Sequence, residues 1–423
     1  MRQKNVKKKT VSLLLAAAMI LTSFPVSGKE AQAAGTSDRS LSVKAFATKE
    51  QLMSAFAPDG NGSSSATGKI AFGKNSTSAV QEWYILEKDN GVTGDNTVLF
   101  AAGPIATNQK FDENYKSSDA STATKSYDAD WGCIYTGNAP TEVNANYYGG
   151  SDVRAKLNEI AGSAQYFTTA EQGLMNGTTV TTHDTKADAD YTTTDKLYAL
   201  TAENSGPSYK TIKAGTNDQI VLAMSTYWSS GSIFWLRTPK SNNSCMARVA
   251  DPGSYVLNKY VDNENALVPA FNLNLSSVIF ASAAKAASSG NAETGTIANG
   301  TAMTLRLDGS DKTIGTVVYD DTAGKIAAQK DAGAAGTVSL VVQGNDGNKD
   351  WYYSVPAGEA TVVTKEQIQT ACGISGDISL ADCKIWLETT IDNVAYAKMA
   401  AAAVTITDSM VTIAPGKSEA KRS

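Results

Sequence analysis

Phe234-Trp235-Leu236-Arg237-Thr238-Pro239 sets three large apolar side chains in a row, follows them with one cation and closes on a proline. The stretch from Ile233 to Leu236 reads as a short buried strand, because a brief apolar run of β-formers leaves little room for a solvated face. Trp235 then belongs inside. Arg237, at the end of such a run, reads as a structural pairing group rather than a ligand contact. Around this segment Lys196 to Thr201, Met246 to Ala250, Ser254 to Leu257 and Pro269 to Ile279 give further short strands.

Upstream, two helices are expected. Ser151 caps a segment through Ile160 in which Val153, Leu157 and Ile160 recur at helical spacing, with Gly162 as the stop. Thr168-Thr169-Ala170-Glu171 is a capping box ahead of Leu174 and Met175. Residues 176–194 are rich in Thr and Asp and read as a loop. Nearer the N-terminus, Thr48-Lys49-Glu50-Gln51 has capping-box spacing before Leu52, Met53 and Phe56. Trp83 to Leu86 and Val98 to Ala101 flank Asn90-Gly91 as a long-turned hairpin. Helices followed by many short strands predict an α+β domain.

The stretch from about Ile70 to Phe280 resembles an uncharacterised bacterial domain family of secreted and surface proteins. The resemblance rests on Trp83-Tyr84-Ile85-Leu86, Phe167 to Glu171, Thr194 to Leu200, and above all Phe234 to Pro239, which is similar to an aromatic-Trp-Leu-Arg-Ser-Pro signature. Ala247 to Ala250 before Gly253, and Pro269-Ala270, add to it. That family is similar in layout to the C-type-lectin-like and sulfatase-modifying-factor folds. The resemblance therefore implies two helices, a small curved antiparallel sheet and long loops, and no particular chemistry. Relatives often carry Arg just before the Pro-Ala pair; this chain has Val268 there.

The chain has 423 residues, 42% hydrophobic and 19% charged, enough for two or three domains with buried cores. Residues 1–33 read as a signal peptide. Arg2, Lys4, Lys7, Lys8 and Lys9 precede the apolar run Val11 to Leu21, and Ala31-Gln32-Ala33 offers a small-x-small cleavage site. The run rises about 16 Å as a helix, too little to span a bilayer. The segment carries six Lys or Arg against Glu30, so without it the formal charge falls from −5 to −10. An acidic chain is a poor partner for nucleic acid, and no membrane span is expected after cleavage.

The expected organisation is a polar segment 34–67, a lectin-like α+β domain 68–281, a linker 282–300 of Ala, Ser, Gly and Asn, an immunoglobulin-like β-sandwich 301–407 and a disordered tail 408–423. In the sandwich, Val338 to Val342 faces Trp351 to Val355 across Gly344 to Gly347, and Thr364 to Gln367 caps a short helix. Of four cysteines, Cys372 and Cys383 are spaced for a disulfide in an oxidising compartment; four free thiols are the alternative.

Few residues carry a chemical signature. His183 is the single His and sits in a polar stretch. Asp184, Asp188, Asp190 and Asp195 are candidate oxygen ligands for calcium, without the spacing of a known loop. Asp346 to Asp350 begins like a calcium loop, but Trp351 and Ala357 stand where Gly and an acid belong, so a hairpin turn fits it better. No cofactor is expected. The strongest hint is aromatic: Tyr227 and Trp228 in a Ser-rich stretch, with Tyr255 and Tyr260 around a turn, are candidate ligand-binding residues, and Tyr147-Tyr148 precede the first helix. The expectation is a secreted or cell-surface, non-enzymatic protein binding a glycan or an extracellular protein. The alternatives are an extracellular polysaccharide hydrolase using an unidentified carboxylate pair, and a structural spacer.

Overall fold

The computed structural model describes residues 45–54, 68–228, 230–252, 255–347, 349–403 and 406. The expected signal peptide, the polar segment apart from 45–54, and the tail lie outside the described residues. Phe234–Pro239 is indeed a strand, with five of its six side chains buried, and it pairs antiparallel with Met246–Ala250 and parallel with Asn265–Leu267. Val256–Tyr260 and Ala106–Gln109 complete this five-stranded sheet. A second sheet of five runs in the order Lys69–Lys74, Val80–Ile85, Asn96–Ala101, Ala270–Asn274, Met175–Asn176, and contains the expected hairpin, with Trp83 opposite Ala101.

These two sheets enclose one aromatic-rich core. Trp83 meets Phe271 edge-on at 4.7 Å between ring centroids, and Phe72 and Phe167 close the group. Each such side chain contributes about 1.5–3 kcal/mol by leaving water. The strands carrying Phe72 and Trp83 alternate buried and less buried positions, whereas Asn96–Ala101 and Ala270–Asn274 are buried almost throughout. Met303, Leu307 and Val394, from much later in the chain, belong to the same core.

The later residues build an eight-stranded sheet in the order Phe46–Thr48, Val278–Ser282, Thr304–Asp308, Val394–Met399, Lys384–Ile391, Val338–Asn345, Asp350–Pro356, Glu293–Ile297. A four-stranded sheet of Thr361–Thr364, Lys325–Lys330, Gly315–Asp320 and Ala401–Ala402 adjoins it. Successive side chains of a strand point to opposite faces. Leu340 and Val342 accordingly enter the core shared with Ile314, Val317, Ile326 and the helix residue Ile368, while Val341 joins Phe280 and Trp386 in a separate cluster.

The fold expectation needs correcting. The chain is mostly β, with five short α-helices among the described residues, the longest the eleven residues Asp152–Gly162. It is neither an α+β C-type-lectin-like domain nor that domain followed by an immunoglobulin-like β-sandwich. The expected caps are present: Ser151 accepts from Arg154 N, and Thr168 with Glu171 forms a complete capping box. The second helix, however, is only the six residues Thr169–Leu174. What outweighs the helices is β-structure in stretches that look like loops. Thr178–Asp184 and Ala189–Asp195 form a hairpin because Thr, though polar, is β-branched and favours strands. Thr178, Val180, Thr182 and Asp184 are its buried alternate positions. In the stretch read as a linker, Glu293–Ile297 is a strand paired with Asp350–Pro356.

Candidate functional site

Tyr227 and Trp228 lie in the core, 2% and 3% exposed, so they are not a recognition surface. Tyr227 packs edge-on against Tyr84, and Trp228 edge-on against Phe234 and at a tilt against Phe100. Trp228 Nε1 donates to Ser232 O at 3.0 Å. Tyr255 and Tyr260 are half-buried and flank or end the strand Val256–Tyr260, about 16 Å apart along an extended backbone, so they do not converge. Cys372 and Cys383 are not bridged: both are free thiols, the first lying 3.5 Å from Tyr352 O and the second 3.4 Å from Ser379 O.

The four candidate acids are splayed. Asp184 and Asp195 are buried and committed to Tyr135 and Arg154, whereas Asp188 and Asp190 are exposed beside His183, at 3.5 and 2.9 Å. Among the described residues, no three or more His, Cys, Asp or Glu come together to hold a metal. Asp346 to Asp350 is a turn, Lys349 N donating to Asp346 Oδ1 and Asn345 Nδ2 to Asp350 Oδ1. Arg237 is a pairing group, fully buried, with Asp218, Ala199 O and Thr181 O as partners.

The aromatic residues that do reach the surface are others. Tyr127, Trp131 and Tyr135 are half-buried, and behind them Tyr147 and Tyr191 are buried. Tyr147 stacks on Tyr191 at 4.4 Å, and Trp131 lies 5.8 Å from Tyr147. Tyr127 meets the rings of Trp131, Tyr135 and Tyr147 edge-on. Trp131 and Tyr135 are each placed by an identifiable device. Asp128 caps the short turn Ala129–Trp131, which Gly132 ends in the left-handed region. Tyr135 is held opposite Tyr191 by strand pairing.

Gly149 and Gly150 matter for close approach. A Cβ at Gly150 would fall 2.5 Å from the Trp131 ring, and one at Gly149 would fall 2.4 Å from Cys133 Sγ and 2.5 Å from Tyr147. Bare backbone is what lets both rings lie this close.

Underneath, Arg154 grips Asp195 with Nε at 3.0 Å and Nη2 at 2.9 Å, while Nη1 donates to Trp131 O and Gly149 O. This two-pronged pair locks the loop carrying Trp131 to the hairpin. Gly149 N donates to Tyr191 Oη, Tyr135 Oη donates to Asp184 at 2.8 Å, and Lys125 Nζ sits 5.4 Å over Trp131. Burial pushes the Tyr135, Tyr147 and Tyr191 phenols well above the ordinary tyrosine value, and it pushes the Cys133 thiol up as well. The hydroxyls stay neutral near pH 7, so the face presents rings and uncharged hydrogen-bonding groups. Nothing in the local sequence marks Trp131 and Tyr135 apart from their spacing around Gly132.

No curated protein matches the chain, and no solved structure does. The whole aromatic face, from Tyr127 to Tyr191, falls within residues 124–275, which match a family described as a domain of unknown function (DUF6273).

Proposed function

We propose that this protein is exported and acts as a recognition protein, with the Tyr127–Trp131–Tyr135 face taking a glycan. The observation carrying this reading is a half-exposed group of rings fixed from behind by two buried rings and the Arg154–Asp195 pair. Rigid aromatic faces give contact area at low entropic cost, and neutral hydroxyls suit the hydroxyls of a sugar. Ile134, 67% exposed, points to the other side of its strand from Tyr135 and favours a second reading in which the surface next to the aromatic face docks an extracellular protein.

A glycan array probed with the purified chain tests the first reading. Binding to a defined glycan class, weakened at least about tenfold by Trp131→Ala with unfolding behaviour retained, supports it; that loss corresponds to about 1.4 kcal/mol. A silent array, or binding indifferent to Trp131→Ala, overturns it. Capture of a host or envelope protein that is lost in Ile134→Asp would move the assignment to protein docking.

A further inference from the structure

A cavity of about 740 Å³ opens where the first core meets the eight-stranded sheet. Its walls include Phe72, Tyr166, Leu305 and Val394, and its charged lining is Lys74, Glu171, Lys285, Arg306 and Glu388. Two of these charges are fully engaged in holding the protein together. Glu171 accepts from Gly73 N with one oxygen, and from Thr168 N and Oγ1 with the other. Arg306 donates to Glu388 from Nε at 3.0 Å, to Ser282 O and Thr304 from Nη1, and to Ala284 O from Nη2.

Glu388 is different. It is 4% exposed, and both its hydrogen bonds, from Arg306 Nε and Trp386 Nε1, reach the same oxygen, Oε2. Among the described residues no donor reaches Oε1, and Glu388 lines the cavity. Facing the cavity, this oxygen is free to accept a hydrogen bond from a molecule that fills it. Lys74 and Lys285 are exposed, line the same cavity and have no ion-pair partner among the described residues. The lining therefore carries three cations and two carboxylates in a chain that is acidic overall.

We propose that this cavity binds an acidic sugar, its ring hydroxyl donating to Glu388 Oε1 and its carboxylate meeting Lys74 and Lys285. An amine would satisfy Glu388 but would be repelled by the two lysines, and a neutral sugar would leave them unused. The volume suits one or two sugar rings. This site is separate from the aromatic face and does not depend on it.

Calorimetry with cellobiouronic acid and with cellobiose, which differ by one carboxylate, tests the assignment on the full chain. The acid should bind at least about tenfold more tightly than the neutral disaccharide, and this preference should vanish in Lys74→Gln/Lys285→Gln, whose side chains are exposed. Ala302→Phe, at a wall position, should abolish binding without altering the circular dichroism spectrum, and Trp131→Ala should leave it unchanged. Absence of binding, equal binding of the two sugars, indifference to the lysine variants or loss through Trp131→Ala overturns the assignment.

Discussion

Four arginines are buried in the described structure, and Arg248 differs from the other three. Arg154, Arg237 and Arg306 face Asp195, Asp218 and Glu388. Arg248 donates to Ala202 O at 2.8 Å, while its buried Nε has no partner and no carboxylate meets it among the described residues. Burial pulls its pKa below the ordinary arginine value, opposed only by Tyr209. The two kinds of site should respond oppositely to loss of charge. Arg248→Met removes an uncompensated charge, so urea unfolding should show stability unchanged or higher by about 1 kcal/mol. Arg154→Met strands the Asp195 carboxylate and should lower stability by about 3–5 kcal/mol. At this scale the sequence was partly legible. The pairing role of Arg237 followed from its place beside an apolar run. Tyr227 and Trp228 looked exposed because their neighbours are serines, yet their burial is set by Tyr84, Phe100 and Phe234, none of them adjacent in the chain.

Among the elements, caps were legible and polar strands were not. Thr48, Thr168 and Thr364 each begin a helix with its side chain bonded to the backbone three residues on, a relation written entirely in local sequence. The Thr178–Asp184 hairpin has the composition of a loop. It becomes a strand pair because its alternate Thr positions are covered by the rest of the domain, and that cover is a long-range fact. The aromatic face was hidden for a similar reason: Tyr127 and Tyr191 lie 64 positions apart, and the rings meet through sheet pairing, the Arg154–Asp195 pair and two glycines. Gly150→Ala tests that dependence. Its Cβ must displace the Trp131 ring, so glycan affinity should fall about tenfold while the midpoint of thermal unfolding shifts little, because Trp131 is only half-buried.

For the molecule as a whole, burial of acids that ionise at high pH defines the alkaline limit. Cys372 and Cys383 are pushed up to about 11 and about 12 from an ordinary value of 9.0, chiefly by burial, and Tyr147 and Tyr191 are also raised. The unfolded chain therefore releases these protons first. Their contribution is fully present below about pH 9 and is lost as pH climbs toward the folded values. The unfolding midpoint should be level from about pH 7 to 8 and should fall above about 9. Cys372→Ala/Cys383→Ala should flatten that fall; an unchanged slope would show that the thiols do not contribute.

The eight-stranded sheet also sets an order of events. Among the described residues Phe46–Thr48 pairs only with Val278–Ser282, and Gln343 Nε2 donates to Ala45 O across 298 positions of chain. No nascent N-terminal fragment holds the partners needed to finish that edge, and closure over such distances is slow. Under the export proposed above, that delay would leave this edge open until residue 343 has been made, which suits passage through a translocation pore.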